Sequence, residues 1–333
     1  MISSTVRAFN DPDAFHKAIR DAQAEGVITR RGNFQAELAS IRFDRISIHR
    51  STERLSRLTY SVVNSNLLGV IFATHADQEI YINGLELAHG DIIVFRAGSE
   101  GYNRSSAACQ WGSIMLTHQD AAAAGEALIG REVVAPLVTQ RIKPSPRLLS
   151  RLLSLHEAAA HLAKTAPDIL GKPEVGRAID QALAEAMVAC LANGHPVNEG
   201  RAYRHHARVM QRLEDTLRAN PEGPLYMADL CKAAGVSHRT LIECCQEHLG
   251  MSPKRYLLLR RMHLAWRALR REDAASTTVT EIATNYGFWE LGRFSVVYHS
   301  MFGESPSTTL RRSPEDPGLG EASEVGLKFA EFA

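Results

Sequence analysis

Residues 227–253 read M-A-D-L-C-K-A-A-G-V-S-H-R-T-L-I-E-C-C-Q-E-H-L-G-M-S-P, and residues 279–306 read V-T-E-I-A-T-N-Y-G-F-W-E-L-G-R-F-S-V-V-Y-H-S-M-F-G-E-S-P. The two stretches share one frame. Gly235 matches Gly287 at an offset of 52, while Leu241 matches Phe294, Gly250 matches Gly303, and Ser252-Pro253 matches Ser305-Pro306 at an offset of 53. One extra residue in the second turn separates two copies of a single supersecondary unit.

Each copy reads as helix, tight turn, helix. In the second, Thr278 stands three residues before Glu281, the spacing of a capping box. Gly287 falls where a helix ends in the left-handed region, which glycine enters without steric cost. A further helix is expected from about Glu290 to Met301, with Phe294, Val297, Tyr298 and Met301 at helical spacing. Ser305 then caps the next helix and Pro306 takes its first position. The first copy repeats this with Leu230, Gly235, Leu241, Leu249, Ser252 and Pro253. Two short helices about a glycine turn make the helix-turn-helix pattern, whose second helix enters the major groove of DNA.

Between the copies, Pro253 to about Arg271 reads as one helix, roughly 28 Å long at 1.5 Å per residue. That approaches the ~34 Å between successive major-groove faces, so one chain can lay both second helices on one side of a duplex. A plain helical domain with a duplicated hairpin is the alternative, and charge argues against it. Residues 201–312 carry 17 Lys and Arg against 11 Asp and Glu, whereas the rest of the chain carries 21 against 26. Phosphate binding calls for such a local basic excess.

The run I-A-T-N-Y-G-F-W-E-L-G-R-F-S-V-V-Y-H-S-M-F-G-E-S-P-S-T-T-L-R, with its partner copy upstream, resembles the DNA-binding domain of AraC/XylS-family transcription regulators. The resemblance covers about residues 203–312. It implies a multidomain α+β chain with a cupin-like, β-rich jelly roll and dimerisation helices before an all-α double helix-turn-helix domain. The expected boundaries are 1–140 for effector sensing, 141–198 for the dimerisation helices and linker, 199–312 for DNA binding, and 313–333 for an acidic tail. That tail is rich in Pro and Gly and is expected to be disordered. The resemblance also implies double-stranded DNA, a small-molecule effector and RNA polymerase as partners, activation of a nearby operon, and a homodimer.

The whole chain is consistent with this. Its 333 residues allow two or three domains, and 45% hydrophobic with 23% charged residues is ordinary globular composition. No run of eighteen apolar residues is present, so no membrane span is expected. The N-terminal stretch lacks the apolar segment of a signal peptide. Five cysteines without paired spacing suit a reducing compartment, and the cytoplasm is the expected location.

Residues 11–25 are read as an amphipathic helix on Phe15 and Ile19. From about 34 to 117, short alternating runs predict strands, among them Ala39–Phe43, Arg45–His49, Leu67–Ala73, Asp91–Phe95 and Gln110–Leu116. Asn83-Gly84 between Ile80-Tyr81-Ile82 and Leu85-Glu86-Leu87 is a hairpin signal. A catalytic cupin would need an H-x-H pair with a Glu and a later His. His49, His75, His89 and His118 show no such clustering, so neither metal, other cofactor nor enzymatic activity is expected. The effector candidates are Arg42, His49, Tyr60, His75, Tyr81, Tyr102, Arg104 and Trp111, as polar or aromatic groups on predicted strands and their turns. Residues 146–193 read as helices broken at Gly171-Lys172-Pro173, with two apolar faces that either pair subunits or cover the β-domain. Residues 193–200 have linker composition.

In the first recognition helix Leu241 and Cys245 are expected in the core, leaving His238, Arg239, Ile242, Glu243 and Gln246 to face the bases. In the second, Phe294 and Tyr298 are core, and Glu290, Leu291, Gly292, Arg293 and Val296 face outward. Ser237, Thr240, Arg255, Ser295, His299, Arg311 and Arg312 are the phosphate candidates. Arg204, His205, His206, Arg208 and Arg212 add a basic face on the domain's first helix. This chain departs from the family pattern at Glu243, where an Arg is usual, and at Cys245, where an aromatic is usual. It departs again at Val296, commonly basic, and at Tyr226, normally Thr or Ser. Adjacent helical side chains diverge by about 100°, so Cys244 and Cys245 read as buried small residues and not as a redox pair. The alternatives are a cupin-type enzyme fused to a DNA-binding domain, and a regulator that needs no effector.

Overall fold

A computed structural model describes residues 2–30, 32–220, 225 and 227–311. Tyr226, Arg312 and the segment 313–333 lie outside the described residues. The chain divides into two compact units. One is built from residues up to 26 and 34–199, the other from residue 200 onward together with 27–33.

The first unit opens with β1 (Ser3–Phe9), α1 (Pro12–Ala18), β2 (Ala22–Ile28), β3 (Ala36–Arg42), β4 (Ile46–Glu53), β5 (Arg57–Val63) and β6 (Leu67–Ala73). There follow β7 (Ile80–Ile82), β8 (Leu85–Glu86), β9 (Ile92–Val94), β10 (Glu100–Ser105) and β11 (Cys109–Thr117). It closes with α2 (His118–Ile129), β12 (Gln140–Lys143), α3 (Pro146–Thr165), α4 (Pro167–Leu170), α5 (Pro173–Asn193) and β13 (His195–Pro196). The strands form two sheets. One has eight strands in the order β1-β3-β4-β11-β6-β9-β12-β13, and the other has five in the order β2-β5-β10-β7-β8.

Register follows from side-chain alternation. On β4, Ile46 and Ile48 point one way while Ser47, His49, Ser51 and Glu53 point the other. All six are buried, so both faces of the sheet are covered. The apolar face, with Ile41, Ile48, Val70 and Ile114, packs under Leu149, Leu152, Leu183 and Met187 of α3 and α5. Each such side chain contributes about 1.5–3 kcal/mol on full burial. Gly112 lets α3 approach, because a Cβ there would stand 2.7 Å from the ring of His156 and 2.5 Å from that of Phe72. The polar face meets the second sheet, where the Arg57 guanidinium donates to the Glu53 carboxylate.

The hairpin signal holds: Asn83 and Gly84 both have positive φ, +53° and +83°, and Ile82 pairs with Leu85 across them. The expected helix over 11–25 is shorter. Asp11 caps it by accepting from the amides of Asp13 and Ala14, but it ends at Ala18, and Ile19 is extended. Residues 22–28 are instead a strand of the five-stranded sheet, so sheet pairing overrides the local helical pattern.

The second unit is helical: α6 (Gly200–Ala219), α7 (Met227–Ala234), α8 (His238–Leu249), α9 (Pro253–Arg271), α10 (Val279–Asn285), α11 (Leu291–Phe302) and α12 (Pro306–Arg311). Ser252 and Ser305 cap at equivalent places in the repeat, whereas Glu290, the counterpart of Ser237, makes no side-chain cap bond to α11. Ser237, Ser252, Thr278 and Ser305 each accept from the amide three residues on. Gly250 and Gly303, at φ +70° and +75°, end α8 and α11. Among the described residues, no helix is long and apolar enough to cross a membrane.

Candidate nucleic-acid interface

Each hairpin hangs on the long helix before it. Arg212 of α6 donates to the Ala234 carbonyl at 3.2 Å, and Arg261 of α9 donates to the Gly287 carbonyl at 3.3 Å. The turn glycines share a geometry too. Gly235 and Gly287 have φ of +69° and +75°, and a Cβ on either would stand 3.1 Å from the arginine Nη1. Arg212 therefore braces the first hairpin, a role that the basic-face reading of α6 missed. A signal existed: Arg212 and Arg261 each stand on the helix that precedes a repeat.

Leu241, Cys244 and Cys245 of α8 are buried, and burial pushes the Cys244 and Cys245 thiols up to about 11 and about 12. The opposite face exposes His238, Arg239, Ile242, Glu243 and Gln246. Arg239 and Glu243 are not independent: Arg239 Nε donates to Glu243 Oε1 at 2.9 Å along the helix. That hydrogen bond, and then the opposite charge, raise the guanidinium pKa further. Thr240 is half-buried within the cap of Ser237, and Arg255 is exposed at the start of α9.

Phe294 and Tyr298 of α11 are buried in a core shared with Trp266, Leu269, Ile282 and Phe288. Tyr298 also donates to the Thr309 hydroxyl of α12 at 2.8 Å. Glu290, Gly292, Arg293, Ser295, Val296 and His299 are exposed, as is Arg311 at the end of α12. Leu291 is a correction. It is half-buried and packs against this core rather than facing fully outward. Trp289 was not anticipated. Its neighbour Phe288 is anchored 4.9 Å from Phe294, while Trp289 itself is 78% exposed.

The eight effector candidates do not converge. His49 and Trp111 point into the space between the sheets. His49 Nε2 lies 3.0 Å from Asp21 and its Nδ1 2.9 Å from Ser40. Ser47 also donates to Asp21, and Arg42 reaches it from the exposed edge at 3.2 Å. Burial alone would raise the Asp21 carboxyl, but hydrogen bonds from His49 and Ser47, with the charge of Arg42, hold it below its ordinary value. Trp111 donates to Glu53 at 2.6 Å. Tyr60, Tyr81, Tyr102 and Arg104 sit on the other face of the five-stranded sheet, away from Arg57 and Thr59. Tyr102 pairs with Tyr60, and the Arg104 guanidinium lies 3.6 Å over the Tyr81 ring. His75 is exposed between β6 and β7. A one-residue step along a strand changes face, which separates residues that composition alone groups together.

A cavity of about 170 Å³ lies elsewhere, under α3, lined by Val6, Glu37, Arg50, Glu157 and Lys164 among others, and contains none of the eight. Among the described residues, no three His, Cys, Asp or Glu side chains gather as a metal set.

Residues 230–312 match the family model described as "Helix-turn-helix domain". Over 197 residues the chain is 34% identical to the probable thc operon regulatory protein of Rhodococcus erythropolis, covering 56% of this chain and 57% of that protein. Over 109 residues it is 37% identical to the XylDLEGF operon transcriptional activator of Pseudomonas putida, covering 33% of each. The chain thus spans between a third and three-fifths of these relatives. Among solved structures it is similar to a probable AraC family transcriptional regulator from Rhodopseudomonas palustris, at 34% identity and a TM-score of 0.30, covering 32% of this chain and 98% of that one. With its twice-used hairpin and paired glycine turns, the second unit is a helix-turn-helix domain similar to those of AraC- and XylS-type transcriptional regulators.

Proposed function

We propose that the chain is a sequence-specific DNA-binding transcription regulator, acting as an activator, whose N-terminal unit senses a small molecule. One observation carries the DNA-binding part. α8 and α11, related by the 53-residue repeat, each bury one face and turn the other, with its polar readers, to solvent. The 19-residue α9 joins the hairpins and spans roughly 28 Å, which suits two successive major grooves. Arg239, Gln246 and Arg293 are suited to base edges, and Thr240, Arg255, Ser295, His299 and Arg311 to the backbone.

In this reading, residues 199–312 bind DNA and residues 1–140 form a cupin-like effector domain. α3 and α5, within 141–198, pair subunits with a face other than the one set on the sheet. An effector bound by the N-terminal unit favours one DNA-affinity state over the other, which shifts their populations. Contact with RNA polymerase follows from activation in this family.

Gel retardation with the full chain and duplexes from upstream of its own gene tests the first part, and a metabolite thermal-shift screen tests the second. Retardation modulated by a metabolite that also raises Tm is expected. Failure to retard any such duplex, with or without metabolites, would overturn the proposal.

A further inference from the structure

We propose that the protein reads thymine 5-methyl groups, through Ile242 on α8 and through Trp289 and Val296 at α11. The inference rests on the DNA-binding reading above and names what the apolar part of that face recognises. In the second unit, the large hydrophobic side chains left exposed, among the described residues, are Ile242 at 38%, Trp289 at 78% and Val296 at 71%. Every one stands on a recognition helix or one residue before its N-cap. Packing does not account for them, because Leu241, Phe294 and Tyr298 already fill the core from the opposite faces.

The placement is specific. Arg293 and Val296 stand three apart on the exposed side of α11, and Trp289 is exposed just before the N-cap residue Glu290. On α8, Arg239, Ile242 and Gln246 stand at spacings of three and four on the exposed face, at positions the repeat does not align with Arg293 and Val296. Each helix thus sets an apolar group beside a hydrogen-bonding one. That alternation suits base edges in the major groove, where the thymine methyl is the apolar feature and guanine offers a bidentate acceptor to arginine. Phosphates and sugars offer an exposed valine little. A continuous apolar patch for a protein partner would not be interrupted by Glu290, Arg293, Arg239 and Glu243, all exposed. Ile and Val are also stiff at χ1, so little rotamer freedom is lost on contact.

The test uses the full chain and duplexes recovered by selection from random sequence. Each thymine in a recovered site is replaced in turn by deoxyuridine, which keeps the base pair and removes only the methyl. Affinity is expected to fall about fourfold for each contacted methyl, the worth of one buried carbon, at one or more positions in each half of the site. Val296→Ala should erase this discrimination in one half and Ile242→Ala in the other, with no loss of fold because both side chains are exposed. Trp289 fluorescence should respond to DNA while buried Trp111 and Trp266 stay constant, and Trp289→Phe should abolish the response.

Equal affinity for thymine and deoxyuridine at every position would overturn the inference. So would Val296→Ala and Trp289→Ala proteins that bind with unchanged preference but fail to activate, since these side chains would then serve a protein partner. Recovery of no duplex at all is a separate result, and it would sink the DNA-binding reading itself.

Discussion

Glu243→Gln probes the first recognition helix most directly. The carboxylate acts twice there: it holds the Arg239 guanidinium at 2.9 Å, and it places a negative charge on the face turned to DNA. Removing the charge releases Arg239 to a phosphate or a guanine without disturbing the core, because both side chains are exposed. One added phosphate contact steepens the dependence of log K on log salt by about 0.9. Over a fourfold rise, from about 50 to about 200 mM, the variant should therefore lose about 3.5-fold more affinity than the parent. Glu243→Arg swings the charge by two and should steepen the slope by about 1.8, or roughly twelvefold over the same range.

Fluorescence anisotropy of the full chain on one duplex across a salt series measures both quantities. Affinity at low salt should rise in the order Glu, Gln, Arg, with the steeper slopes above. An unchanged slope, or a lower affinity on random-sequence DNA, would refute the repulsion argument. A loss confined to duplexes with cytosine at one position would refute it differently, by showing that the carboxylate accepts from the N4 amine as a base reader.

Gly235→Ala and Gly287→Ala should each destabilise the protein by about 1–2 kcal/mol in urea unfolding, and by similar amounts, since both positions combine positive φ with an arginine against the new Cβ. Burial, reinforced by the charge of Arg50, holds the His156 imidazole down to about 3 against a usual 6.5. The unfolded chain then binds one more proton between those values, so stability falls as pH drops through that window by up to about 1.4 kcal/mol per unit. His156→Gln should remove that one-proton share of the slope in denaturation series taken at several pH values. Brief alkylation of native protein, read by mass spectrometry, should label half-exposed Cys231 and spare Cys109, Cys190 and Cys245, whose burial pushes their thiols up to about 12.

The DNA-binding unit was legible because its punctuation is local. Ser252, Pro253 and the turn glycines act within a few residues of themselves, so α9 was delimited at Pro253 and placed to within a residue or so at Arg271. The N-terminal unit was only partly legible. β5, read as R-L-T-Y-S-V-V, and β10, read as E-G-Y-N-R-S, turn Arg57, Thr59, Ser61, Asn103 and Ser105 inward. A strand whose inner face is polar shows no apolar alternation, so the usual period-two signal is missing. The same polarity hid the Asp21–His49–Ser40 network, whose members come from three separate strands or turns and share no spacing. Trp289 escaped for the opposite reason. An aromatic residue beside Phe288 reads as core by type, and only the turn geometry shows that the two neighbours part company.

The two hairpins are alike in frame and unlike on their exposed faces, which bears on how the pair divides the work. At equivalent positions, Arg239 corresponds to Gly292, Thr240 to Arg293, Glu243 to Val296 and Cys245 to Tyr298. The first helix thus carries a cation already engaged by its own carboxylate over a core of small thiols. The second carries an exposed aliphatic group and a glycine over a core of aromatic rings packed at tilted angles. Gly292 is informative because a Cβ there would meet nothing within 4 Å, while glycine in a helix costs up to about 1 kcal/mol relative to alanine. Packing gives no reason to accept that cost. If the α11 backbone approaches a base edge closely there, Gly292→Ala should lower affinity for the second half of the site while leaving Tm unchanged or higher, and equal affinity for that half would refute the idea.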